Sequence, residues 1–330
     1  MSAGSARPNT TTGLLIAVAG AVLFAVNGNV SKVVLQSGLS SLELVSARSA
    51  GAAAVLLGIT AVLRPASLRV GWRELRFLAV YGLTGIAMVQ WLYFVAIQRM
   101  PVGIALLFEY TAPLMVALWV RFVQHQPVRS RLWLGLACAL LGLALVAQLW
   151  RGMVLDPLGL VSALGAAAAL GAYYLMGEHG QRQRDPVSLM GYSFGFSALL
   201  WAVVQPWWTF PFHRLGATVE LPGALPGHTS LGVLVLWIVV LGTVAPFLLV
   251  LLAIQHLGAA RVGLVGMLEP VGAGIIAWVL LGESLGALQV LGSAVVLVGI
   301  VLAETARQPA EPPFADPDDR AAPVPEGITL

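Results

Sequence analysis

The stretch A-I-Q-R-M-P-V-G-I-A-L-L-F-E-Y-T-A-P-L-M-V, residues 96–116, decides the fold. It enters an apolar run at Pro101, carries a carboxylate at Glu109 about 12 Å along a helix rising ~1.5 Å per residue, and meets a second proline at Pro113. Read as a membrane span, it places an acid near the bilayer midplane. An acidic side chain there costs about 2.5–3.5 kcal/mol on insertion scales, so it persists only if paired, protonated or facing a wet cavity. Glu109 therefore asks for a functional explanation.

Composition decides which solvent the rest of the chain meets. Hydrophobic residues make up 58% and charged residues 10% of the sequence, with mean hydropathy +0.88, whereas soluble domains carry about 25% charged residues. The chain reads as an all-α integral membrane protein. Its one cysteine, Cys138, lies in an apolar run, so no internal disulfide forms and no thiol pair serves metal or redox chemistry. The formal charge of +3 contains no basic run with interleaved aromatics, which argues against a nucleic-acid partner.

Working outward, residues 1–12 are polar and read as a cytoplasmic segment. Ten candidate spans of about 20 residues follow: 13–35, 42–63, 75–98, 101–122, 132–150, 157–178, 187–208, 231–256, 259–281 and 285–304. The first continues too far to be a cleaved signal segment. The longest loop, 207–230, holds Pro211, Pro222 and Pro226 and reads as broken and polar. Residues 305–330 are proline-rich and acidic, a composition expected to be disordered and dispensable.

Arginine and lysine give an orientation. With the N-terminus cytoplasmic, 13 of the 18 basic residues fall on the inner side, three (Arg99, Arg151, Arg214) on the outer side, and Lys32 and Arg48 within spans. That bias predicts both termini inside, in a plasma (inner) membrane.

The two halves repeat. A shift of 157 lays Pro113 on Pro270, Gly135 on Gly292 and Gly142 on Gly299, and a shift of 146 lays Gly13 on Gly159. The repeats are residues 13–150 and 157–304, five spans each. An odd number of spans forces the halves to lie upside down relative to each other, a recurrent secondary-transporter plan with substrate bound near the midplane.

This pattern resembles the drug/metabolite transporter superfamily, specifically its EamA-type members. Residues 93–118 (Y-F-V-A-I-Q-R-M-P-V-G-I-A-L-L-F-E-Y-T-A-P-L-M-V-A-L) are similar to the corresponding part of bacterial threonine/homoserine exporters. So are the first-span Asn27, Asn29 and Lys32, the second-span Arg48, and the second-half L-E-P (Leu268, Glu269, Pro270) followed by L-G-E (Leu281, Gly282, Glu283). The resemblance spans residues 13–304 and implies transport, with amino acids, drugs, pigments and other metabolites all handled by related carriers. Gln126 stands where the second half has Glu283, and the 207–230 loop is longer than in compact members.

The embedded polar residues have readings of their own. Lys32, Arg48 and Glu109 fall in the outer half of their spans, where a cation paired with Glu109 lowers the cost of its charge and the cluster can hold both ends of a zwitterion. Alternatively Lys32 snorkels to headgroups, Arg48 locks two helices and Glu109 caps a helix break. Glu269, about ten residues into its span, is either a proton-exchanging partner of Glu109 at a different depth or a partner for backbone freed by Pro270. Pro113 and Pro270 remove a backbone hydrogen bond inside a span and read as hinge or cavity wall, with an inert kink as the alternative. Gln90, Trp91, Tyr93, Tyr110, Tyr173 and Tyr174 are candidate substrate contacts, although span aromatics more often pack or anchor. Small-residue stretches 51–54 and 165–169 read as close helix contacts.

No nucleotide-binding loop, H-E-x-x-H or cysteine–histidine cluster occurs, and no cofactor or metal is expected. The expectation is an exporter of small amino-acid-like metabolites working by alternating access. Proton antiport through Glu109 or Glu269 drives it, with facilitated diffusion open. Its partners are a small-molecule substrate and the lipid bilayer, with a homodimer as an open alternative. Uptake or exchange of other metabolites, and a lipid-handling or other non-transport role, are the competing functions.

Overall fold

A computed structural model describes residues 9–100, 102–148, 156–221, 227–281 and 286–304. Pro101, Arg151, Gly282, Glu283, the first eight residues and the tail 305–330 lie outside the described residues. The described chain is almost wholly helical: α1 (Thr10–Gln36), α2 (Ser41–Leu63), α3 (Trp72–Tyr81), α4 (Val89–Ile97), α5 (Val102–Glu109), α6 (Ala112–Phe122) and α7 (Ser130–Val146) form the first half. The second holds α8 (Pro157–Gly180), α9 (Pro186–Val204), α10 (Leu231–Val239), α11 (Ala245–Leu257), α12 (Ala259–Gly266), α13 (Leu268–Leu281) and α14 (Ala287–Glu304). Eight stretches are long and apolar enough to cross a membrane, and α7 and α14 are shorter apolar helices.

Local sequence sets where these helices begin. The Asp156 and Asp185 carboxylates accept from the backbone N–H of Gly159 (2.7 Å) and Ser188 (3.1 Å), each before a proline at the first helical position. Ser40 and Glu43 form a reciprocal capping box at α2.

Two spans are continuous but underwound at one place. Gly82–Met88 between α3 and α4, and Val240–Val244 between α10 and α11, are π-helical. Two others are broken, at Tyr110–Thr111 between α5 and α6 and at Met267 between α12 and α13. A shift of 157 relates the two members of each pair. The breaks correct the expectation for the prolines: Pro113 is the second residue of α6 and Pro270 the third of α13, not mid-helix positions. In a first turn the missing N–H has no intrahelical acceptor to lose, so proline starts these helices and kinks nothing.

Helices without an amphipathic stripe associate in lipid by close packing at small residues. A Cβ on Gly142 would lie 2.6 Å from the Gly292 carbonyl oxygen, and one on Gly135 would lie 2.6 Å from that of Gly299, so α7 and α14 meet backbone to backbone. A Cβ on Gly13 would meet the side chains of His256 and Leu257, while one on Gly159 would meet those of Arg99 and Met100. These contacts interchange under the same two shifts, 146 and 157. The pairing of α1 with α11 is matched by that of α8 with α4, and α2 packs on α9.

Within the 207–230 loop, residues 207–221 and 227–230 are more ordered than a broken loop, and Pro222 and Pro226 lie outside the described residues. Two short 3-10 turns lead into an antiparallel pair, β1 (Thr218–Leu221) and β2 (Gly227–Ser230), with Val219 packed beside Val34, Leu39 and Leu231. The alternation in T-V-E-L was its sequence signal, over too few residues to stand out in a proline-rich stretch.

Candidate functional site

The two helix breaks face each other at the centre of the bundle, where α6 packs on α12 and both lie against α8. Glu109 is the last residue of α5 and only 8% exposed. Tyr110, directly at the break, is buried, and its hydroxyl donates to Glu269 Oε2 at 2.6 Å. Glu269 lies in the first turn of α13, where the aligned peptide dipoles favour an anion. The two carboxylates are near enough to interact electrostatically, which brings Glu109 and Glu269 to the same centre. Tyr93 and Tyr174 are within the same electrostatic reach of both.

Arg48, 9% exposed, enters from α2. Its Nε donates to Thr243 Oγ1 at 3.0 Å, and its charge faces Glu269. Arg48 thus interacts electrostatically with Glu269, and its Nε is tied to the second π segment through Thr243. Pro113 and Pro270 are both buried. A Cβ on Gly263 would lie 3.3 Å from Pro113 Cγ and from Tyr174 Cε2, so Pro113 does line this centre. Gly266, which the 157 shift sets opposite Glu109, leaves room for the Tyr174 hydroxyl: a Cβ there would lie 3.1 Å from it.

The remaining candidates scatter. Asn27 is buried against Gly242 of the second π segment, next to Thr243. Gln90 is buried, donates to the Ile86 carbonyl at 3.1 Å, and keeps an unpartnered Oε1 among the described residues. Tyr93 packs with Met100, Ile104 and Ala163. Trp91 is 42% exposed, and Lys32 is exposed near the end of α1. Tyr173 stacks on Tyr81 at 5.9 Å and donates to the Phe247 carbonyl at 3.3 Å, which makes it part of an aromatic column. Thr243 is the site residue that sequence reasoning missed, since a lone hydroxyl in an apolar run normally bonds its own helix backbone.

Chemically the centre offers two carboxylates, phenolic hydroxyls and a guanidinium in a buried setting. It can take a proton or an ammonium at the acids and an anion at Arg48. Among the described residues no group of three or more His, Cys, Asp or Glu is placed to hold a metal.

Residues 11–148 and 157–305 each match the EamA-like transporter family. The chain is 31% identical to the threonine/homoserine exporter RhtA of Salmonella typhimurium strain SL1344 over 271 residues, which is 80% of this chain and 85% of that protein. It is 29% identical to the exporter of the same name from Escherichia coli K12, over 78% and 82% of the two chains. An uncharacterized transporter of Archaeoglobus fulgidus is 28% identical over 70% and 76%. A crystal structure with 17% identity superposes with a TM-score of 0.70, covering 89% of this chain and 97% of the other, and shares the fold.

Proposed function

This chain belongs to the EamA-like transporter family, and from that premise we propose that it exports small amino acids or close analogues, of the threonine and homoserine type, by alternating access. The reading takes the chain as ten spans in two inverted five-helix repeats, residues 13–150 and 157–304, with both termini cytoplasmic in the inner membrane. Support for a twofold relation between the halves comes from contacts that interchange between them, Gly13 with His256 against Gly159 with Arg99, and from the paired breaks and π segments, and five spans per repeat make that relation an inversion.

The observation that carries the function is the meeting of Glu109, the Tyr110–Glu269 hydrogen bond and Arg48 at the two helix breaks. Opposite charges held apart on separate helices suit a zwitterion, the acids taking the ammonium and Arg48 the carboxylate. The substrate class rests on the names of the relatives. Protons compete with the ammonium for the same carboxylates, which supplies antiport. The test is export from proteoliposomes across an imposed pH gradient. Glu109→Gln is expected to insert normally and to lose export or its dependence on the gradient. Efflux that keeps the wild-type rate and gradient dependence would remove Glu109 from the mechanism.

A further inference from the structure

Arg48 is held in a way that simple charge pairing does not explain. Thr243 is fully buried, and its hydroxyl donates to the Ile238 carbonyl at 2.8 Å, five residues back, closing a turn of the Val240–Val244 π segment. The same oxygen accepts from Arg48 Nε at 3.0 Å. The segment packs closely on α1, where a Cβ on Gly242 would collide with the Asn27 side-chain amide. A guanidinium has five N–H donors in a planar fork. With Nε committed to Thr243, the donors on Nη1 and Nη2 make no hydrogen bond among the described residues, although the side chain is nine-tenths buried and faces Glu269. That fork has the geometry to receive a carboxylate by two parallel bonds.

We infer that Thr243 is a positioning residue: it ties Arg48 by Nε so that the Nη fork is presented to the substrate's carboxylate. The inference rests on the amino-acid reading above, in which Arg48 holds the substrate carboxylate, and adds the residue that orients it. With the substrate carboxylate on the fork, the guanidinium's charge is exchanged from Glu269 to the substrate, and Glu269 becomes the partner for the substrate ammonium. An amino alcohol lacks the group that makes this exchange.

Counterflow in proteoliposomes of the full chain tests it, with labelled L-threonine as probe and unlabelled L-threonine or threoninol as competitor. Thr243→Val keeps the shape and removes the hydroxyl. It is expected to raise the KM for threonine about tenfold, the scale of one lost hydrogen bond to a charged group, while the maximal rate and the competition by threoninol stay at wild-type values. Thr243→Ser is expected to restore the threonine KM. If the valine variant is not monodisperse after purification, Thr243→Ala against Thr243→Ser makes the same comparison. An unchanged threonine KM, or equal losses for both competitors without rescue by serine, would overturn the positioning role. Wild-type protein that moves neither threonine nor homoserine would overturn the amino-acid reading and this inference with it, whereas wild-type counterflow with indifferent Thr243 variants would overturn only the inference.

Discussion

Tyr110 joins two helix breaks that lie 157 residues apart in sequence, through one hydroxyl at 2.6 Å from Glu269. Tyr110→Phe leaves the ring in its buried place and removes the donor. A hydrogen bond to a charged group contributes about 1.5–3 kcal/mol, so export is expected to fall roughly 10- to 100-fold. The melting temperature of the purified variant separates this from fold damage and should stay close to wild type. Residues of this kind were legible from sequence because an ionisable group in oil has few bland explanations: Glu109, Glu269 and Arg48 all lie in the buried centre. Trp91 was not distinguishable from Tyr110 in that way. An aromatic ring suits lipid and protein core alike, so its type carries no information about which way it faces.

At the scale of elements, the breaks and prolines were readable and the π segments were not, since no residue type demands a π turn and Gly85 and Gly242 only permit the close neighbours found there. The connections between helices show how magnitudes sort apparently similar ion pairs. Arg184, 7% exposed, ends the turn after α8 and donates to Glu74 Oε1 at 2.5 Å, to the Ser67 carbonyl and to the Arg69 carbonyl at 3.1 Å, with its charge 5.3 Å from the Tyr192 ring. One residue on, Asp185 meets Arg64 at 3.4 Å, but that arginine is largely exposed. Arg184→Met is expected to cost about 3 kcal/mol, at the lower end for a broken buried pair because Glu74 is partly exposed. Asp185→Asn keeps the helix cap and removes only the charge, for less than about 1 kcal/mol. Burial opposes ionisation of Asp185, yet hydrogen bonds from the Ser188 hydroxyl and N–H and the Arg64 guanidinium together hold its carboxyl below the ordinary 3.8. A lowered carboxyl stabilises fully above that ordinary value and stops doing so as pH falls through its folded-state value. Thermal melts in detergent should therefore show the Asp185→Asn deficit at neutral pH and lose it only in strong acid.

For the whole molecule the question is whether the halves run in opposite directions, and the loops frame it. The turn after α1 is tied to the 207–230 segment by Arg214 Nη1 donating to the Gly38 carbonyl at 2.6 Å. The turn after α8 is tied to the 64–71 connection by Arg184. Shifted by 146, residues 36–39 become 182–185, so repeat-equivalent turns make equivalent attachments. In inverted halves those attachments sit on opposite faces of the membrane, and in parallel halves on the same face. Gln36 and Arg182 are both exposed and are related by that shift, which makes them a matched pair of reporters. With Cys138 replaced by alanine, single cysteines at Gln36→Cys and Arg182→Cys can be challenged in intact cells with a membrane-impermeant maleimide. Only the position 36 thiol is expected to react, and the position 182 thiol only after permeabilisation, as the 13-to-3 bias of basic residues also requires. Reaction at 182 alone would keep the inversion and reverse the orientation. Equal labelling of both in intact cells would put the two turns on one face and overturn the inverted-repeat reading, leaving any alternating access to a different plan, the parallel repeats that other carriers use.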